Sequence, residues 1–173
     1  GLTADELKNI IISSAYFNES SGTELVYIQQ SYKGLPVFNQ IQSLAFKNGQ
    51  LVSATGTRIK NIEKLVKLVN ETPSIKAETA VKRAMDEKKI SSKLALIANP
   101  IDPGKKIDFG KMDFSSESIT AELMWLPING AKEVRLVWQV YLVPAKTLDY
   151  WLVRVDANNN QILEESNLTV YCN

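Results

Sequence analysis

Residues 26–38 read Val26-Tyr27-Ile28-Gln29-Gln30-Ser31-Tyr32-Lys33-Gly34-Leu35-Pro36-Val37-Phe38. This stretch decides the fold because it holds two strands and the break between them. Thr23–Tyr32 is rich in β-branched and aromatic residues, which suit a pleated surface. Lys33-Gly34 interrupts the run, and Leu35-Pro36-Val37-Phe38 opens a second strand that reaches Phe46. Gly34 supplies backbone freedom at the break, and Pro36 suits a rigid strand entry at a sheet edge. Asn48-Gly49 follows, and both residues tolerate the positive φ of a type I′ hairpin turn. Leu51–Thr57 returns as a third strand. A two-residue loop sets Phe46 opposite Leu51 and Ala45 opposite Val52, an apolar register.

Toward the N-terminus, Thr3-Ala4-Asp5-Glu6 reads as a helix start, with Thr3 as cap and Glu6 as its capping-box partner. Leu7, Ile10 and Ile11 continue it as an apolar stripe at helical spacing that stops near Ser13-Ser14. Asn18 to Gly22 is loop-like. Toward the C-terminus, Ile62, Leu65, Val66 and Val69 stand at helical spacing. Thr72-Pro73-Ser74 then interrupts. A boundary is placed there, between subdomains 1–72 and 73–173.

The second subdomain opens on an amphipathic helix, Ala77–Lys88, with Ala77, Ala80, Val81, Ala84 and Met85 on one side. Residues 91–118 carry Pro100, Pro103, Gly104 and Gly110 and read as an irregular excursion around a small hairpin. Three alternating runs follow. Ile119, Ala121, Leu123 and Trp125 alternate with Thr120, Glu122 and Met124. Val134, Leu136, Trp138, Val140 and Leu142 alternate with Arg135 and Gln139. Trp151, Val153 and Val155 alternate with Tyr150 and Arg154. Period two in successive runs predicts an antiparallel sheet with one buried face. A turn at Asp156–Asn160 leads to a last short strand, Gln161-Ile162-Leu163. The fold class is therefore α+β, two small subdomains that each pack an antiparallel sheet against helices.

Composition narrows the function. The chain has no histidine among its 173 residues. Histidine is the commonest general base and metal ligand near neutral pH, so Ser-His-Asp and Cys-His catalysis and the usual zinc sites are excluded. The reading is accordingly not an enzyme, with no catalytic residue, no metal ligand and no cofactor. Net charge is +1, from 20 basic and 19 acidic residues. Nucleic-acid binding needs a clustered basic excess, and no basic run here is longer than a pair such as Lys88-Lys89 or Lys105-Lys106. No apolar run approaches the ~18 residues that span a bilayer. No charged start followed by an apolar signal-peptide core is found among these residues. The lone Cys172 cannot make an internal disulfide.

Two segments resemble known modules. Tyr32, Gly34, Pro36, Val37 and Phe38, followed by a strand and Asn48-Gly49, are similar to the signature of the fungalysin/thermolysin propeptide module. Ile75–Ala80, with its alanine-glutamate-any-alanine core, resembles the opening helix of the PepSY module. The strand Leu136–Val140, containing Trp138 and Val140, and the turn Val155-Asp156-Ala157 resemble that module's later features. Lys76 stands where PepSY helices often have a capping serine or threonine, and Asn160 where the closing turn usually has glycine. The resemblance implies cystatin-like and PepSY-like subdomains in tandem, as in the pro-region of secreted zinc metallopeptidases. It implies a folding chaperone and temporary inhibitor, with the zinc peptidase catalytic domain downstream of Asn173 as partner in cis. It implies a secreted or periplasmic protein whose signal peptide lies outside these residues. No nucleic acid, membrane or small-molecule substrate is expected as partner. The alternative is a freestanding PepSY-type peptidase inhibitor or interaction module.

Several residues admit two roles. Tyr32, Gly34, Pro36, Val37 and Phe38 either serve turn and core or touch the partner. Trp125, Trp138 and Trp151 are either core, as their inward phase suggests, or binding anchors. Cys172 is an inert thiol, half of a disulfide to a later cysteine, or a zinc-binding thiolate. Glu164-Glu165 reads as two solvated charges, because adjacent strand residues point apart.

Overall fold

The structure is a computed structural model, and it describes residues 7–169. It is a mixed α and β protein dominated by sheet. The chain divides into two compact units. One takes the described residues up to Leu68 together with Trp125–Val134; the other takes Val69–Met124 and the described residues from Arg135 onward.

The first unit is an antiparallel meander of β1 (Ile10–Asn18), β2 (Thr23–Tyr32), β3 (Leu35–Lys47) and β4 (Gln50–Gly56), followed by the short helix α1 (Ile62–Val66). The helical expectation for Ile10 and Ile11 is overturned. Both lie in β1, which pairs with β2 from Ile10↔Gln30 to Asn18↔Thr23. Ile10-Ile11-Ile12 places three β-branched residues in succession, and their restricted χ1 favours a strand. The expected helix start at Thr3–Glu6 lies outside the described residues.

The two turns flanking β3 form as expected. Lys33 and Gly34 have φ of 51° and 73°, and Asn48 and Gly49 have 51° and 75°. Phe46 faces Leu51, but Ala45 faces Ser53 rather than Val52. A β-bulge between Ala45 and Phe46 leaves Val52 as the additional residue, which shifts the register by one. Ile28, Leu35, Val37, Leu44, Ile59, Ile62 and Val66 are buried in this unit.

The second unit carries helix α2 (Ala77–Glu87) and the strands β5 (Asn99–Asp102), β6 (Lys106–Asp108), β7 (Thr120–Ile128), β8 (Glu133–Leu142), β9 (Trp151–Asp156) and β10 (Ile162–Asn167). Strands β5 to β10 are neighbours in chain order. The last residues of β7 and the first of β8 group with the first unit. Helix α2 buries Ala77, Ala80, Val81, Ala84 and Met85, the expected face, and Lys76 gives it no side-chain cap. The small hairpin expected in 91–118 is β5–β6.

The single buried face is corrected at the centre of the sheet. Met124 and Val137, both out of phase with the inward set, are as buried as Leu123 and Trp138. Alternation persists only where one face meets water, and here both faces are covered.

Candidate interaction surface

The first signature builds a turn and anchors it. Tyr32 and Leu35 are paired across the Lys33-Gly34 turn, and Pro36 is paired with Ser31. Val37 is fully buried and forms a parallel bridge to Trp125. The Trp125 indole Nε1 donates a 3.0 Å hydrogen bond to the Tyr32 carbonyl. The buried indole N–H thus has the hydrogen-bond partner that a buried polar donor requires. Phe38 is half-buried.

The second set also holds structure together. Trp138 is buried, and its Nε1 donates to the Ile75 carbonyl at 3.1 Å, just ahead of α2. Val140 is completely buried beside it in β8. Asp156 is buried, and its Oδ1 accepts from the backbone N–H groups of Asn158 (2.8 Å) and Asn159 (3.1 Å), an Asx turn. Asn160 completes that turn with φ of 63°, the left-handed conformation that asparagine tolerates. The Ala157 carbonyl then accepts from Ser74 and Ile75, so the turn docks onto the segment leading into α2.

Trp151 departs from the inward expectation. It is only half-buried, and the Lys88 ammonium sits 3.5 Å from its ring centroid. Lys88 also pairs with Glu165 at 2.6 Å. The neighbouring Glu164 turns the other way, toward Arg154 at 3.4 Å. The two carboxylates therefore point apart, as the strand period requires, and do not form an acid–base pair.

Arg154 lies on the outward phase of the alternation, yet its side chain is 1% exposed. Its Nε donates to Gln139 Oε1 at 3.0 Å and its Nη1 to Ser166 Oγ at 3.2 Å. Burial holds its pKa below the ordinary value, and the Glu164 carboxylate partly offsets that. No local signal distinguishes it from a solvated arginine, because its partners come from β8 and β10.

Part of the exposed apolar surface lies on the first sheet. Ile11, Ile12, Tyr16 and Phe17 project from β1, Ile41 from β3, and Leu51 and Val52 from β4, all exposed. The Tyr16 and Tyr27 rings stack with centroids 6.1 Å apart. Among the described residues no group of three or more Cys, Asp or Glu side chains converges as a metal site. No helix among the described residues is long and apolar enough to cross a membrane. Cys172 lies outside the described residues.

The fold is thus a sheet-rich mixed α and β scaffold whose signature residues serve turns and core, while its first sheet presents apolar side chains to solvent. That first sheet is placed more narrowly by comparison: residues 11–57 match the Fungalysin/Thermolysin Propeptide Motif. The match runs from β1 through the residue after β4. It is a propeptide motif of fungalysin- and thermolysin-type peptidases, not a catalytic domain. No curated protein matches the chain. Among solved structures, the Bacillus megaterium YpeB C-terminal domain aligns with a TM-score of 0.39 and 10% identity. That alignment covers 93% of this chain and 57% of the other, so this chain spans somewhat over half of its length.

Proposed function

We propose that the chain is the pro-region of a secreted zinc metallopeptidase, acting as folding chaperone and temporary inhibitor of the catalytic domain in cis. The observation that carries this reading is the propeptide motif at residues 11–57, which coincides with the meander β1–β4. The second half, from Pro73 on, is read as a PepSY-like unit that accompanies it.

The physical logic is linkage. A module that binds the native peptidase and not its unfolded chain stabilises the native state by mass action. If the same contacts form in the folding transition state, the module also lowers the folding barrier. If they cover the active-site cleft, it inhibits until it is removed. A chain without histidine cannot itself supply the usual zinc site, so the metal chemistry belongs to the partner.

The test has two parts. The codons after Asn173 are read for a zinc-peptidase domain, and that domain is refolded with and without the purified chain. Faster recovery of active peptidase, followed by inhibition at excess chain, is the expected result. A chain that neither assists refolding nor slows hydrolysis sinks the reading.

A further inference from the structure

Strand β1 lacks most of the guards that natural edge strands carry. It runs for nine residues with no charged side chain, no proline and no glycine. Among the described residues it pairs with β2 on one side only. Edge strands are normally kept short, charged or proline-broken, because their free N–H and C=O groups template further pairing. The device present here is a bulge between Ile12 and Ser14.

The side chains beside that edge are apolar on both faces. Ile12 and Phe17 stand opposite Ile28 and Glu24 and are 64% and 63% exposed. On the other face Ile11 and Tyr16 are 41% and 50% exposed. An uncharged strand flanked in this way complements a neutral strand rich in β-branched or aromatic residues, since such cross-strand pairs are favourable.

We infer that the outer edge of β1 is where the peptidase domain docks, by laying one of its own extended, uncharged segments alongside Ile10–Asn18 as a further strand. This rests on the pro-region reading above. The matched propeptide motif begins inside this strand, at Ile11. The size of the contact also selects the occupant. Nine residues span about 30 Å, and a sheet about 10 Å thick gives roughly 300 Å² per partner. A free second copy held by that edge alone falls short of the about 800 Å² per partner of a stable interface. A domain on the same chain is held at millimolar effective concentration, so a small edge contact suffices.

The experiment mixes the full chain with the catalytic domain encoded after Asn173, at concentrations approaching the millimolar effective concentration of the linked domain, and follows inhibition together with amide hydrogen exchange in β1. The test variant is Ile12→Lys/Phe17→Lys, whose sites are exposed, so its melting temperature is expected to match the parent chain. The inference expects slowed exchange across β1 in the mixture and an inhibition constant raised roughly tenfold or more in the variant. Inhibition by both chains alike, with β1 exchange unchanged, overturns the docking edge and leaves the pro-region reading standing. Absence of any effect of the parent chain overturns both. A β1-protected dimer in sedimentation, indifferent to the peptidase, replaces the peptidase by a second copy and overturns the inference. Should the variant fail to fold, exchange on the parent chain still decides.

Discussion

The Trp138 indole donates to the Ile75 carbonyl at 3.1 Å, a bond across sixty-three residues that joins the centre of β8 to the entry of α2. That helix has no side-chain cap of its own, so this tertiary bond and the contacts of Ala157 hold its N-terminal approach. Trp138→Phe keeps most of the apolar volume but leaves the carbonyl unpaired, and is expected to cost about 1–3 kcal/mol. Trp138→Ala adds a cavity and is expected to cost about 3–5 kcal/mol. Chemical denaturation distinguishes the two, and an unchanged melting temperature for the alanine variant contradicts the packing described.

Arg154 and Glu164 form an unequal pair. The arginine is buried and has neutral partners in Gln139 and Ser166, whereas the Glu164 side chain is 43% exposed. Arg154→Ala is expected to destabilise by about 3 kcal/mol, through lost volume and two orphaned polar groups. Glu164→Gln should change stability by no more than about 1 kcal/mol, since a half-exposed partner adds little. Equal losses in urea titrations of the two variants would show that the ion pair, not the neutral network, holds the arginine.

Gly56 ends β4 with φ of 101°, and a Cβ there would clash with the Ile41 carbonyl oxygen and lie 2.8 Å from the Gln42 Cα. Both are backbone atoms and cannot swing away. Gly104 also has positive φ, but open space surrounds it. Gly56→Ala is expected to cost more than about 2 kcal/mol, combining strain with the clash, and Gly104→Ala about 1 kcal/mol. Similar melting temperatures for the two variants would contradict the close approach of β4 to β3.

Tyr141 donates to Glu117 Oε2 at 2.9 Å. Burial first, then the Glu117 hydrogen bond and charge, push its pKa up from 10.0 to about 12. A raised folded-state pKa means that the folded protein holds this proton longer than the unfolded chain. The associated stability is full below pH 10 and is lost as pH rises toward 12. Tyr141→Phe should therefore show a shallower loss of stability than the parent across that window. Parallel curves for the two proteins would refute the assignment.

Much of this protein is written locally. The period-two runs of β7, β8 and β9, the apolar face of α2, and the Lys33-Gly34 and Asn48-Gly49 turns follow from alternation, spacing and backbone tolerance alone. The resemblance carried by Tyr32–Phe38 rests on the same local order, and the propeptide motif covers it. The zero histidine count needs no structure at all.

Tertiary structure decided the rest, because the deciding partners are distant in sequence. Ile10 and Ile11 have an apolar spacing that suits a helix, and pairing with Gln30 and Gln29 makes them strand. The bulge that displaces Val52 shifts a register the turn chemistry alone had set one residue away. Met124, Val137 and Arg154 sit on the phase that local alternation assigns to water. A residue's alternation shows which side of a sheet it occupies; only the packing of remote elements determines whether that side is covered.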